Sequence, residues 1–146
     1  MSDEHLLPII GENEAPFWQA TRQRELRVQQ CASCERLRFP PRPMCPWCRS
    51  TESQWALMSG RGTIYSYVVP YPPLLPQFHD LAPYAVILVT LDEDPTIRLV
   101  GNLVEQAGDP INEVDPDSVE IGTPVQVVYE PVNDEITMPR WVRATS

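Results

Sequence analysis

Residues 31–48 read CASCERLRFPPRPMCPWC and carry all four cysteines of the 146-residue chain. The cysteines form two C-x2-C pairs, Cys31/Cys34 and Cys45/Cys48, separated by ten residues. Each pair makes a tight turn whose two thiolates face one ion, so the two pairs together predict a tetrahedral metal site. Because protein ligands fill all four positions, the predicted site is structural and leaves no position for a substrate.

Zinc is the metal that this pattern favours, with iron as the alternative, since both accept four thiolates. Two disulfides would require an oxidising compartment, and the sequence carries no sign of export. A thioredoxin-like redox site would use one C-x-x-C pair rather than two in tandem. We therefore expect one zinc ion per chain, which stabilises a zinc ribbon that has few apolar residues of its own.

The charge is distributed unevenly along the chain, whose formal net charge is −9. Residues 20–62 carry eight Arg against three acids, a net charge of +5. Residues 63–146 carry three Arg against thirteen acids, a net charge of −10. Lys is absent, so every Lys/Arg cation is a guanidinium, the group that pairs with phosphate or carboxylate through two parallel hydrogen bonds. Genomic base composition would also favour Arg over Lys.

The 17 prolines and 6 glycines favour short strands joined by rigid turns over long helices. A polar helix is expected over residues 17–26, with Asn13 near its N-cap and Pro16 in its first turn. Five strands with a bent first strand are typical of an OB-fold, with a generic β-barrel as the alternative. These strands are predicted at residues 54–69, 84–91, 97–104, 123–130 and 136–142.

The sequence thus predicts a mainly β protein in three parts. An N-terminal arm and helix occupy residues 1–26, a zinc ribbon residues 27–52, and a five-stranded OB-fold barrel residues 53–146.

No set of catalytic residues is evident in the sequence. His5 and His79 are the only histidines, no G-x-S-x-G or H-E-x-x-H motif is present, and the cysteines are assigned to metal. No apolar run approaches the roughly 18 residues that span a bilayer. Residues 1–5 lack the basic and apolar regions of a signal peptide. We therefore expect a protein without catalytic activity of its own, soluble and cytoplasmic, that does not enter a membrane.

Several motifs follow one another in a specific order over residues 16–143. They are Phe17-Trp18, the two cysteine pairs, Phe39-Pro40-Pro41-Arg42, Trp55, residues 59–67, Pro83-Tyr84, Leu91-Asp92-Glu93, residues 121–125 and Pro139-Arg140-Trp141. This order resembles the domain of unknown function 35 family, in which a rubredoxin-like zinc ribbon precedes an OB-fold. This chain departs from the family pattern at Glu35, where Gly is frequent, and at Pro70-Tyr71, where His is frequent. The role of that histidine is therefore not transferred to this chain.

The resemblance implies an accessory subunit of an acyl-CoA-processing enzyme. The partner would be a thiolase-like, hydratase or aldolase subunit in a hetero-oligomer, which this chain would stabilise while helping to bind the CoA moiety. Guanidinium groups suit the CoA phosphates, and aromatic rings suit its adenine or the partner surface. The candidate contacts with CoA or the partner are Arg36, Arg38, Arg42, Arg61, Trp18, Phe39 and Trp47.

Roles without a ligand also remain open for these residues. The aromatic side chains could pack in the core, and the arginine side chains could lie at the solvated surface. Three other functions are also compatible with the sequence. These are a stand-alone acyl-CoA-binding or thioesterase-like protein, a nucleic-acid-binding OB-fold, and an iron electron-transfer protein. The net charge of −10 over residues 63–146 would repel a nucleic-acid backbone, so we expect no nucleic-acid partner.

Overall fold

The protein is described by a computed structural model that covers residues 6–144. The first five residues of the predicted arm, His5 among them, lie outside these described residues. Helix α1 (Ala15–Arg22) precedes strands β1 (Leu26–Cys31), β2 (Leu37–Arg38) and β3 (Ser53–Met58). The later elements are β4 (Arg61–Val68), α2 (Pro76–His79), β5 (Val86–Leu91), β6 (Asp94–Asn102), a short 3-10 helix (Pro116–Ser118), β7 (Pro124–Pro131) and β8 (Thr137–Arg143).

Helix α1 ends four residues earlier than predicted. Its N-cap is Glu14 rather than Asn13, although Pro16 stands in the first turn as expected. The chain leaves the helix at Arg24, whose φ of 59° is left-handed, a usual way to end a helix. Leu26 can therefore enter β1, where it is fully buried, instead of extending the helix.

The first sheet has the antiparallel order β2-β1-β3 within the described residues. Strand β3 pairs along the whole of β1, from Leu26 opposite Met58 to Cys31 opposite Ser53. The prediction of one bent strand over residues 54–69 is therefore wrong, since β3 belongs to the ribbon sheet and β4 to the barrel. Gly60 separates them at φ 81°, where a Cβ atom would lie 2.5 Å from Cγ1 of Val127.

The second sheet has the order β6-β5-β4-β7-β8, with antiparallel neighbours. Its two edges approach each other at one end, where Leu103 forms a parallel bridge with Trp141. The backbone N–H of Val104 also donates to the carbonyl of Trp141 at 2.8 Å. The sheet thus curls into a half-barrel, which confirms the predicted mainly β fold with an N-terminal helix, a ribbon and five OB-type strands.

One hydrophobic core joins the helix, the ribbon and the barrel. Phe17 of α1 and Val28 of β1 belong to the same buried cluster as Ile64, Ile87 and Trp141 of the barrel. The boundary between the zinc ribbon and the OB-fold domain, predicted between residues 52 and 53, stays a prediction. By its hydrogen bonds, the segment 53–58 pairs with the ribbon sheet. Across residues 6–144, no helix is both long enough and apolar enough to cross a bilayer.

Candidate metal centre and adjoining clefts

The four cysteine sulfurs converge on one point. Their Sγ atoms all lie within 4.8 Å of one another, with 3.5 Å between Cys31 and Cys48 and 3.6 Å between Cys34 and Cys45. A tetrahedral ion with metal–sulfur bonds of about 2.3 Å would separate its ligands by about 3.8 Å. Cys31 and Cys45 are fully buried, whereas Cys48 lies at the surface. The donor set and its spacing therefore fit one thiolate-bound metal ion.

Backbone hydrogen bonds shape each cysteine turn. In the first turn, the N–H groups of Ser33 and Cys34 point at Sγ of Cys31, at 3.3 and 3.4 Å. The residue after each second cysteine has a left-handed backbone, with φ of 66° at Glu35 and 68° at Arg49. Residue 35, where this chain has Glu and the family pattern frequently has Gly, therefore adopts a conformation that favours glycine.

The thiol pKa values show why the cluster suits a cation. The backbone N–H of Cys34 lowers the pKa of Cys31 to about 6, against the opposing effect of burial. At Cys48, a hydrogen bond from the backbone of Ser50 lowers the pKa, but burial and the sulfurs of the other three cysteines, Cys31 foremost among them, raise it to about 11. Thiolates this close repel each other, and a bound cation removes that repulsion.

The predicted arginines fall into three different environments. Arg36 and Arg42 are exposed, and the guanidinium carbon of Arg36 lies 5.2 Å from the ring centre of Trp47. Arg38, a predicted contact with CoA or the partner, is only 3 % exposed, so the alternative of a solvated surface residue is wrong for it. Arg38 lies in β2, and its Nη2 atom donates to the carbonyl of Arg42 in the loop that follows, at 3.0 Å. Arg61 lies at the start of β4 and lines none of the cavities described below.

A cleft of about 350 Å³ lies between the ribbon and the start of β6. We call it the ribbon cleft. It brings together Arg38, Arg42 and Trp47 of the predicted set, and Phe39 forms part of its wall. Its lining residues are Leu37, Arg38, Phe39, Pro40, Arg42, Pro46, Trp47, Thr96 and Ile97.

A larger apolar groove of about 640 Å³, the barrel groove, shares Phe39 and Pro40 with the ribbon cleft. Trp18 and Phe39 line it, flanking the buried ring of Phe17 at centroid distances of 5.1 and 5.8 Å. Its remaining walls come from the arm, the α2 region and strands β5, β6 and β8. They are Pro8, Pro40, Phe78, Tyr84, Val86, Arg98, Leu99, Val100, Gly101, Asn102, Ile111, Met138, Pro139, Arg140 and Trp141.

The polar residues of the barrel groove are not among the contacts with CoA or a partner that the sequence predicts. Arg140 donates to Asn102 Oδ1 at 3.0 Å and to Glu130 Oε1 at 3.3 Å, while Arg98 lies over the ring of Tyr65 at 4.1 Å. The motif Pro139-Arg140-Trp141 contributed only to the family resemblance. A possible signal was the placement of a cation beside an aromatic residue in β8, where Trp141 is buried and Arg140 is half-buried. Both residues line the groove.

Comparison with known proteins gives two matches that together cover most of the chain. Residues 18–53 match a family model described as the rubredoxin-like zinc ribbon domain of ChsH2. Residues 55–130 match one described as the C-terminal OB-fold domain of ChsH2.

Among relatives, a probable enoyl-CoA hydratase alpha subunit from Thermomonospora curvata is 40 % identical over 132 residues. That match covers 90 % of this chain but only 38 % of the hydratase subunit, so the chain spans less than half of that relative. A DUF35 domain-containing scaffold protein from Methanothermobacter thermautotrophicus is 37 % identical over 120 residues, covering 81 % of this chain and 82 % of the scaffold protein.

A solved structure described as the Ltp2-ChsH2(DUF35) aldolase is also similar. It superposes with a TM-score of 0.80 at 38 % identity, and the match covers 95 % of this chain and 100 % of that chain. The resemblance to the domain of unknown function 35 family is thereby confirmed over nearly the whole sequence. The chain belongs to the DUF35 family and has the zinc-ribbon and OB-fold arrangement of ChsH2.

Proposed function

We propose that this chain is a scaffold subunit, not itself catalytic, of an acyl-CoA-processing enzyme. Its partner would be a hydratase, aldolase or thiolase-like subunit, which the chain stabilises while helping to hold the CoA ester. The observation that carries the proposal is the 38 % identity over 95 % of the chain to the DUF35 component of an aldolase. Similarity to a hydratase alpha subunit supports the same class of partner.

The barrel groove supports this proposal by its chemistry. It is large and mostly apolar, with a few polar groups near one wall, which is the usual character of a small-molecule or partner site. Trp18 lies beside the buried Phe17, so its ring is held in place by core packing. An apolar acyl or pantetheine chain, or an apolar partner segment, would remove this surface from water.

We further propose that the metal is zinc, held by Cys31, Cys34, Cys45 and Cys48. A zinc ion in this site would serve as a structural cross-link between the two cysteine turns. The turns in turn anchor Arg36 and the loop of Arg42, so the ion would indirectly order one wall of the ribbon cleft. Metal analysis of the purified chain tests this, with one equivalent of zinc expected. A red iron protein, or less than half an equivalent of zinc, would reject it.

The partner proposal is tested by affinity purification from the native host and identification of the co-purifying subunit. The expected result is a stoichiometric complex with a subunit that acts on acyl-CoA esters. A chain that purifies alone, or that itself hydrolyses or hydrates acyl-CoA esters at enzyme-like rates, would contradict the proposal.

A further inference from the structure

The half-barrel has an open side between its two edge strands, β6 and β8. These strands approach each other at the bridge between Leu103 and Trp141, and residues 98–102 and 138–141 line the barrel groove near it. A second space of about 370 Å³, the side cavity, adjoins the groove. Five residues line both spaces, namely Phe78, Asn102, Ile111, Met138 and Arg140.

The arm that precedes helix α1 borders both of these spaces. Leu6 and Leu7 line the side cavity, and Pro8 lines the barrel groove. Leu7 and Pro8 are half-buried, whereas the side chain of Ile9 is 94 % exposed and lines neither space. The arm, Leu-Leu-Pro-Ile-Ile over residues 6–10, is apolar throughout and so suits the apolar walls that it touches.

Hydrogen bonds hold the arm at Gly11 but not beyond it. The N–H of Gly11 donates to Oε2 of Glu14 at 3.0 Å, and its carbonyl accepts from the N–H of Ala15 at 3.0 Å. Residues 6–10 form no hydrogen bond with any other part of the described chain. A segment with few buried contacts and no backbone hydrogen bonds opens locally at little cost. Helix α1 stays anchored when the arm leaves, because its Phe17 lies in the core.

We propose that residues 6–10 are a displaceable strap that shields part of the barrel groove and side cavity until another apolar group enters. The strap competes with that group, because Leu6 and Leu7 cover apolar walls that the group would also cover. Pro8 favours an extended backbone at Leu7, which lowers the entropy lost when the strap lies down. The inference deepens the proposed function, on which its biological role rests, by naming how access to the groove is controlled.

Fluorescence titration of the full-length, metal-loaded chain with Nile red, a neutral apolar dye, tests the strap. The double change Leu6→Ser and Leu7→Ser weakens its apolar contacts, and Ile9→Ser is the matched control on the exposed side of the arm. The double variant should bind the dye at least about five-fold more tightly, because a closed strap lowers the fraction of chains open to it. Ile9→Ser should bind within about two-fold of the parent chain. Equal or weaker binding by the double variant would make the arm a wall of the site and overturn the proposal.

Methyl NMR of the methionine-labelled chain locates the dye. Met138 lines both spaces, whereas Met58 is buried in the core. The double variant and the dye should each move the Met138 signal and leave that of Met58 in place. Tighter dye binding that leaves Met138 unmoved, or a double variant that also moves Met58, would overturn the proposal. These tests need neither an ester nor a partner subunit, so their failure would leave the scaffold function untouched, and a missing partner would leave the strap untouched.

Discussion

The side-chain oxygen Oε1 of Gln29 accepts a hydrogen bond of 2.7 Å from the backbone N–H of Arg42. The carbonyl of Arg42 accepts a second bond, from Nη2 of Arg38 at 3.0 Å. Buried side chains of β1 and β2 therefore hold both polar groups of this peptide segment. The neighbouring prolines stiffen the loop, but these two hydrogen bonds fix where Arg42 stands on the ribbon cleft.

Gln29→Met should destabilise the chain, because it keeps the volume but leaves the N–H of Arg42 and the hydroxyl of Ser53 without their partner. The expected loss is about 1–3 kcal/mol in the free energy of unfolding, measured by urea denaturation of the metal-loaded protein. Gln30→Met is the matched control, since the hydrogen bonds of Gln30 lie at the surface and should cost less. Equal losses in the two variants would show that the buried contact has no special role.

Glu35→Gly should not destabilise the first cysteine turn, although it removes a side chain. At φ 66° a residue with a Cβ carries strain of about 1–2 kcal/mol, which Gly avoids at some cost in backbone entropy. Glu35→Val should instead lower the free energy of unfolding by at least about 1 kcal/mol. Glu52→Gly and Glu52→Val serve as controls, because Glu52 is exposed and does not have a positive φ. A Gly variant less stable than the Val variant at residue 35 would contradict the assignment of strain.

Arg38→Met should leave the free energy of unfolding within about 1 kcal/mol of the parent chain or raise it. The change removes a buried, unpaired charge, which offsets the lost hydrogen bond to Arg42. Urea denaturation measures this, and Gln29→Met is the contrast, because the side chain of Gln29 is fully partnered. A loss above about 3 kcal/mol would mean that the buried guanidinium of Arg38 stabilises the ribbon, and would contradict the net cost expected for an unpaired buried charge.

The cysteine spacing predicted the ribbon because two C-x2-C pairs have few structural explanations other than one shared metal ion. The strand assignments succeeded where a short run of apolar residues favours an extended strand, as in β5 (Val86–Leu91). In the structure, buried and partly buried positions alternate along this strand. Residues 53–58 were misassigned because an extended pattern does not show which sheet a strand joins. The separation of β3 from β4 depends on partners distant in sequence. These are the pairing of β3 with β1 and the hydrogen bond of 2.8 Å from the N–H of Val127 to the carbonyl of Gly60.

The candidate site was predicted less completely than the fold. Trp18 and Phe39 line the barrel groove, and Arg42 and Trp47 line the ribbon cleft. Their contacts with CoA or a partner stay predictions. The burial of Arg38 was not predictable, since charged residues are usually exposed and a two-residue strand gives no periodicity. The polar wall around Arg140 depends on Asn102 and Glu130, which lie on other strands and meet it only in the folded barrel.

The most direct test of the scaffold function is acyl-CoA turnover by the purified partner subunit, measured with and without this chain. The proposed function predicts that adding the metal-loaded chain raises turnover or the lifetime of the active partner, and that the chain alone gives none. Arg42→Ala should reduce the effect by weakening assembly or ester binding by roughly 1.5–3 kcal/mol, while Arg22→Ala should not. A partner whose activity and stability are the same with and without the chain would contradict the scaffold function.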